Sequence, residues 1–271
     1  MLFVCPKCKG KLNITDSGAA VCELGHSFDR SRKGYYNLLL SAKGGTHGDN
    51  KLMVDSRRAF LDGGFYKPLA VSVSRTVKEI APSGAVLLDV GCGEGYYTDF
   101  VERALRERDG ESSVFGFDIS KDAAARVARR NPNIGVCVAS AYAMPIADSS
   151  VDIAINLFSP LALTEVKRAL RPGGYFIMTV PGEYHLFGLK QKLYESPYLN
   201  TVKEPTLDGF ELVSEIPLSY KLTLERCDDI RNLFYMTPYA YRTPKEACEM
   251  ISELQRLETS VEFITFVYKK R

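Results

Sequence analysis

With 271 residues and 45% hydrophobic content, the chain is long enough for one large α/β domain with a small appendage, which excludes a disordered or fibrous protein. The net charge of +2 excludes a protein that holds nucleic acid by bulk charge; the basic excess is local, with eight Lys/Arg against four Asp/Glu in residues 1–51. Seven cysteines, three of them clustered at 5, 8 and 22 and the rest scattered at 92, 137, 227 and 248, exclude a secreted disulfide framework.

Lys7, Lys9 and Lys11 interrupt the N-terminus before a signal-peptide core can form, and no 18-residue apolar run follows. A cytoplasmic protein without a membrane span is expected. Cys5 and Cys8 are spaced C-x2-C, and Cys22 and His26 are spaced C-x3-H. Two such pairs on knuckle turns supply four soft or borderline ligands, a closed Cys3His set that suits structural Zn2+. The other reading is a reduced cysteine pair beside an unrelated histidine. Lys11–Ile14 and Ala20–Val21 read as a hairpin turned at Asp16-Ser17-Gly18. So short a piece builds no core of its own and is expected to fold around its metal.

Residues 41–51 are polar and glycine-rich, a linker or mobile loop with a solvated His47. Asp55 or Ser56 is expected to cap a short helix carrying Arg57, Arg58, Phe60 and Leu61 and ended by Gly63-Gly64. A second helix is expected over Tyr66–Ile80, stopped by Pro82. These helices precede the next motif and are placed to lie over a ligand as a lid, with the Arg57-Arg58 pair facing either a phosphate or carboxylate, or solvent.

Strand and helix then alternate from 83 to 181, the pattern of a doubly wound sheet with right-handed crossovers. Strands are expected at Ala85–Val90, Ser113–Phe117, Ile134–Ala139, Val151–Asn156 and Tyr175–Val180, with helices at Tyr97–Arg108, Lys121–Arg130 (capped by Ser120) and Leu161–Leu170. The first strand runs into Asp89 and then Gly91, Gly93 and Gly95. Alternate glycines let a backbone approach a ligand where a Cβ would collide. This D-x-G-x-G-x-G turn differs from the G-x-G-x-x-G of a dinucleotide fold and resembles motif I of class I S-adenosylmethionine (SAM) methyltransferases. In such sheets ligands bind at the carboxyl ends of the strands. Asp118 at the second strand end suits the ribose hydroxyls, or else caps the next helix. Ser140 and Ala141 at the third leave room for an adenine ring. Asn156, followed by Leu157–Pro160, ends the fourth, where class I enzymes face the methyl group. His185, past the fifth, suits the cofactor carboxylate or the substrate, or else a structural role.

A helix over Leu186–Glu195, a strand over Phe210–Leu222 with Pro217 suggesting an edge or bulge, helices over Glu225–Phe234 and Pro244–Leu257, and a last strand over Ser260–Tyr268 complete the chain. Two late strands match the closing antiparallel pair of class I methyltransferases. Tyr198, Tyr235, Tyr239 and Tyr241 are candidates to stack on bases.

Taken together, C-P-K-C…C-x3-H-x-F-D, G-Y-Y-N-L-L (Gly34–Leu39), the Gly48–Tyr66 segment, L-D-V-G-C-G-E-G-Y-Y-T, C-V-A-S (Cys137–Ser140), P-G-x-x-H-L (Pro181–Leu186) and M-T-P-Y-A-Y-R (Met236–Arg242) resemble the bacterial 23S rRNA (guanine-N1-)-methyltransferase family over nearly the full length. The resemblance implies a zinc-binding RNA-recognition module over 1–34, a linker with lid helices over 35–82 and a SAM-dependent methyltransferase domain over 83–271. It implies zinc on Cys5, Cys8, Cys22 and His26, SAM contacts from Tyr66, Gly95, Tyr96 and His185 beside the motif I residues and Asp118, a 23S rRNA hairpin as substrate, and a homodimer. The family has two subgroups that methylate different guanines of one hairpin, and the fourth strand end at Asn156 departs from its pattern.

The expected reaction is in-line methyl transfer to guanine N1, with Asn156 orienting the ring and His185 or a lid carboxylate as candidate base. An unpaired or flipped guanine is needed, and Lys7, Lys9, Lys11, Arg30, Arg32 and Lys33 are placed to grip phosphates. A small-molecule SAM methyltransferase, or a zinc-dependent RNA- or protein-binding module without turnover, are the other classes that one such domain admits.

Overall fold

The apolar runs of residues 86–181 have no polar face to give to water, so they pair in parallel and are covered by helices on both sides. The computed structural model describes residues 1–40, 51–202, 206–241 and 245–271; the expected loop at 41–50, with His47, lies outside them. Parallel strands β5 (Val86–Val90), β6 (Ser113–Asp118), β7 (Gly135–Val138), β8 (Val151–Leu157) and β9 (Leu170–Pro181) alternate with α3 (Tyr96–Arg108), α4 (Lys121–Arg130) and α5 (Leu163–Ala169). β10 (Phe210–Leu224) and β11 (Leu257–Lys270) close the sheet antiparallel beside β9, and β4 (Tyr36–Asn37) adds a parallel strand beyond β7. The order is β10-β11-β9-β8-β5-β6-β7-β4, with the connections reversing direction at β5 and β8. β10 is an edge strand, which tolerates the missing N–H of Pro217. The register shift falls between Leu212 and Ser214, away from that proline.

Alternation along the strands divides the core. Leu87, Ile153, Ile155 and Ile177 face α2 (Lys67–Ile80), α3 and α6 (Phe187–Leu193) through Val73, Val77, Val101, Leu105 and Leu189. Leu88, Val90, Ala154 and Phe176 face the opposite way, onto Val166 of α5 and onto Phe3 and Leu12 of the N-terminal piece. That piece is the small antiparallel sheet β1 (Leu12–Ile14), β2 (Ala20–Cys22) and β3 (Ser27–Phe28), with the hairpin where the sequence suggests it. It is docked, not tethered: the Val4 N–H donates to the Pro145 carbonyl at 2.8 Å, the Tyr36 hydroxyl donates to the Gly18 carbonyl at 2.9 Å, and β4 pairs with β7. The stretch expected as a linker after residue 34 therefore opens with a strand of the main sheet.

The first of the two helices expected to form a lid, α1 (Lys51–Asp62), begins upstream of its expected caps. Asp55 and Ser56 lie inside it because Val54 already belongs to the buried stripe shared with Phe60 and Leu61. Asp55 pairs with Arg126 of α4, and Asp62 pairs with Arg130 at 2.8 Å. Ser120 caps α4 as expected, accepting from the Ala123 N–H at 3.3 Å. Helix α7 (Cys227–Tyr235), a 3-10 turn (Pro238–Tyr241) and α8 (Lys245–Glu253) lie between β10 and β11. No helix among the described residues is long and apolar enough to cross a membrane.

Candidate functional site: a glycine turn and a cysteine–histidine cluster

The carboxyl ends of β5 to β9 share one edge of the sheet, and the sequence-derived residues converge there. Gly91, Gly93 and Gly95 leave β5 with φ of 78°, 55° and 83°, left-handed backbone that side chains disfavour. A Cβ on Gly91 would lie 2.5 Å from the Ser159 Cβ, whereas one on Gly93 would meet nothing within 4 Å. The turn is therefore packed tight on its β8 side and open over Gly93, the shape of a cradle for an extended ligand. The Gly93 N–H donates to Asp118 Oδ2 at 3.0 Å, and Asp118 Oδ1 accepts from the Ser120 N–H at 2.8 Å. Ser140 and Ala141 are half-buried at the end of β7, with Ser140 Oγ accepting from the Tyr142 N–H.

Asp89 does not open into the cradle. Its carboxylate is buried and accepts from the Thr98 hydroxyl at 2.6 Å, which ties β5 to the first turn of α3. Burial, with the nearby Asp118 charge, pushes its pKa up to about 7. Tyr96 is buried beneath the Arg130 guanidinium, 5.6 Å from its ring centroid. Arg130 bonds Glu94 of the glycine turn at 2.6 Å as well as Asp62 of α1, so the turn, the lid helix and α4 share one ion-pair network.

Tyr66 and His185, 119 residues apart, meet at 3.3 Å between Oη and Nε2, both buried against Phe263. The Glu262 N–H donates to His185 Nδ1 at 3.3 Å, so Nδ1 is the unprotonated nitrogen and Nε2 carries the hydrogen toward Tyr66. Burial takes the imidazole pKa down to about 3. His185 is thus bonded through one nitrogen to β11 and through the other to Tyr66. Asn156 is 2% exposed, and its amide donates to Ser159 Oγ at 2.7 Å and toward the Pro160 carbonyl. Ser159 Oγ in turn donates to the Val90 carbonyl at 2.5 Å. Asn156 thus pins the loop after β8 against the glycine turn. Arg57 bonds the Met236 carbonyl and Arg58 bonds Asp62.

On the opposite face, Cys5, Cys8, Cys22 and His26 gather with their ligand atoms all within 4.8 Å of one another. Cys5 Sγ and Cys22 Sγ lie 3.5 and 3.4 Å from His26 Nδ1, and Cys8 Sγ lies 3.6 Å from Cys22 Sγ. Zinc–sulfur bonds of about 2.3 Å and a zinc–nitrogen bond of about 2.0 Å give a tetrahedron with edges of about 3.5–3.8 Å. The four donors fit that ion, through Nδ1 of the histidine. Lys7, Lys9, Lys11, Arg30, Arg32 and Lys33 are all exposed on this module.

Comparison with known proteins agrees with both halves. Residues 88–178 match the family model described as a methyltransferase domain, and residues 3–42 match a zinc-ribbon model described as RlmA, N-terminal. The 23S rRNA (guanine(748)-N(1))-methyltransferase of Streptomyces fradiae is 31% identical over 97% of this chain and 94% of its own length. The chain belongs to the 23S rRNA (guanine-N1-)-methyltransferase family. Two further relatives, provisionally named 23S rRNA (guanine-N(1)-)-methyltransferases, are 29% identical over 96% of this chain and 94% of their own length (Bacillus subtilis) and 33% over 88% and 86% (Micromonospora griseorubida). Family membership makes the chain a SAM-dependent methyltransferase with a structural zinc ribbon.

Several residues of this family member have no signal in single-sequence reading. Ser159 is an ordinary serine until Gly91 is seen beneath it. Phe158, 46% exposed with φ of 63° at the end of β8, adopts a backbone that its type does not announce. Lys190, wholly buried in α6, looks like a solvated helix lysine.

Two outcomes follow from these arrangements. Metal analysis should find about one zinc per chain, and Cys5→Ser should remove it and lower the melting temperature of the N-terminal piece; a fully folded, metal-free chain would refute the site. Asp89 titrates with a raised folded-state pKa, so its contribution to stability is present below pH 4 and is lost as pH rises toward about 7. Asp89→Asn should therefore recover stability on the order of 2–4 kcal/mol at pH 8 relative to pH 4, read by denaturant titration at both values; equal pH dependence in the two chains goes against it.

Proposed function

We propose that this chain methylates N1 of a guanine in a 23S rRNA hairpin. The observation that carries the reading is the docking of an exposed basic zinc ribbon onto a complete SAM-type sheet, in a chain that aligns end to end with an enzyme named for that activity. A small-molecule methyltransferase has no need of such a module.

When bound, SAM supplies an electrophilic methyl group on sulfur. The residues support a division of labour around it. Gly91, Gly93 and Gly95 let the backbone come close, Asp118 puts a carboxylate beside the Gly93 N–H at the strand end where ribose hydroxyls would bind, and Ser140 and Ala141 leave a low wall for the adenine. Tyr66 and His185, locked together in one tautomer, form the wall of the lid, with Tyr96 behind the turn. Asn156 acts as a positioning residue, holding the β8 loop where the acceptor base must arrive. Methylation would exchange the N1–H bond for an N1–methyl bond as the sulfonium–methyl bond of SAM breaks and the proton passes to solvent water, so the base must leave its stack and present its Watson–Crick edge. The exposed lysines and arginines of the ribbon hold the hairpin phosphates while that edge is offered.

Methyl transfer from labelled SAM to unmodified 23S rRNA should label one hairpin guanine, located by primer-extension arrest at the N1-methylated base. Labelling of small metabolites with inert rRNA would sink the reading, and rRNA binding without turnover would leave a binding module. The homodimer implied by the family resemblance belongs to the same proposal: sedimentation should give twice the chain mass, and a single-chain mass goes against it.

A further inference from the structure

Lysine is almost never fully buried without a charged partner. Lys190 of α6 is 0% exposed, and among the described residues no carboxylate lies within ion-pair distance of it. Its ammonium instead donates to Asn200 Oδ1 at 2.6 Å and to the Tyr198 carbonyl at 3.0 Å. It also sits 4.4 Å from the Tyr198 ring centroid and 5.8 Å from that of Tyr239. Cation–ring attraction and two carbonyl bonds replace the missing anion. A leucine or methionine would fill the same volume without the cost of burying a charge.

What the cation holds is the wall past β9. Asn200 Nδ2 donates to the Gly182 carbonyl at 2.8 Å and toward the His185 carbonyl at 3.4 Å, and the Asn200 N–H donates to the Glu183 carbonyl at 2.9 Å. The Lys190–Asn200 pair therefore seats the loop that carries His185 from behind. On its other side, Lys190 grips the underside of Tyr198, which remains 53% exposed. Tyr194 packs on Tyr198 at 5.6 Å between centroids and on Tyr239 at 6.4 Å, so the exposed ring is backed by Tyr194, itself braced by Tyr239. A flat aromatic held rigid at the rim of the methyl-transfer edge is the device by which proteins stack an unpaired base, since every base offers a π face.

We infer that Lys190 is a positioning residue that pre-organises Tyr198 as a stacking surface for an unpaired base of the RNA, next to the His185 loop. The inference rests on the acceptor reading given above. It places an RNA contact on the catalytic domain, apart from the basic zinc ribbon.

The test compares wild type with Lys190→Met, Lys190→Arg, Tyr198→Ala and Tyr198→Phe in steady-state methylation of the hairpin RNA, with calorimetric SAM affinity and zinc content measured on each. Tyr198→Ala should raise the KM for RNA about tenfold with kcat within about threefold and SAM affinity unchanged, and Lys190→Met should raise that KM by at least as much. Tyr198→Phe should behave as wild type, Lys190→Arg should restore most of the loss, and the Lys190→Met/Tyr198→Ala double variant should be no worse than Lys190→Met alone. Tyr198 is exposed, so its alanine variant reports even where Lys190→Met folds poorly. Wild-type labelling of the hairpin together with an unchanged KM in Tyr198→Ala overturns this inference alone, as does a loss in Lys190→Met that is confined to SAM affinity. A wild-type chain that leaves the hairpin unlabelled overturns the acceptor reading and this inference with it.

Discussion

One carboxylate sits at the centre of the cofactor edge. Asp118 closes β6, and its two oxygens are shared between the Gly93 N–H of the preceding turn and the Ser120 N–H at the start of α4. A turn in which three glycines take left-handed backbone is costly to hold in one shape, because glycine loses more freedom on folding than any other residue. The Asp118 bond and the Ser159 contact against Gly91 restrain it from two neighbouring strands. The cradle is thereby set before any ligand arrives, and binding does not have to order it.

Around this point the protein repeats one solution. Buried polar groups at the strand ends are spent on other parts of the chain, leaving the ligand to be met by backbone and by rims. Asp89 bonds Thr98, Asn156 bonds Ser159, and His185 bonds Tyr66 and the Glu262 N–H. In the structure each of them ties its own segment to a neighbouring one. The arrangement suits a reaction in which the cofactor carries the activation and the protein supplies alignment.

The strands, the glycine turn and the metal ligands are legible in the sequence because each rests on local chemistry: apolar runs, φ > 0 turns and paired ligand spacings. What escapes is whatever depends on a distant partner. The two residues of β4 are too few to carry a pattern and become a strand only through Cys137 and Val138. The start of α1 is hidden because Asp55 is a good cap residue, yet Arg126 on α4 claims its carboxylate. Asn156 reads as a group aimed at substrate until Ser159 is found three residues on, and Lys190 reads as surface until Tyr198 and Tyr239 fold over it. In every case the deciding contact lies outside the element itself, which periodicity cannot register.

The pairing of β4 with β7 has a consequence of scale. The strand that leaves the zinc ribbon is bonded to the strand that ends two residues before Ser140, and Leu38 continues the ladder by donating to the Val138 carbonyl at 2.9 Å. Ribbon and cofactor edge thus share one frame, as the two jaws of a calliper share a beam. The distance between the exposed lysines of the ribbon and the glycine turn is thus set by one hydrogen-bonded sheet.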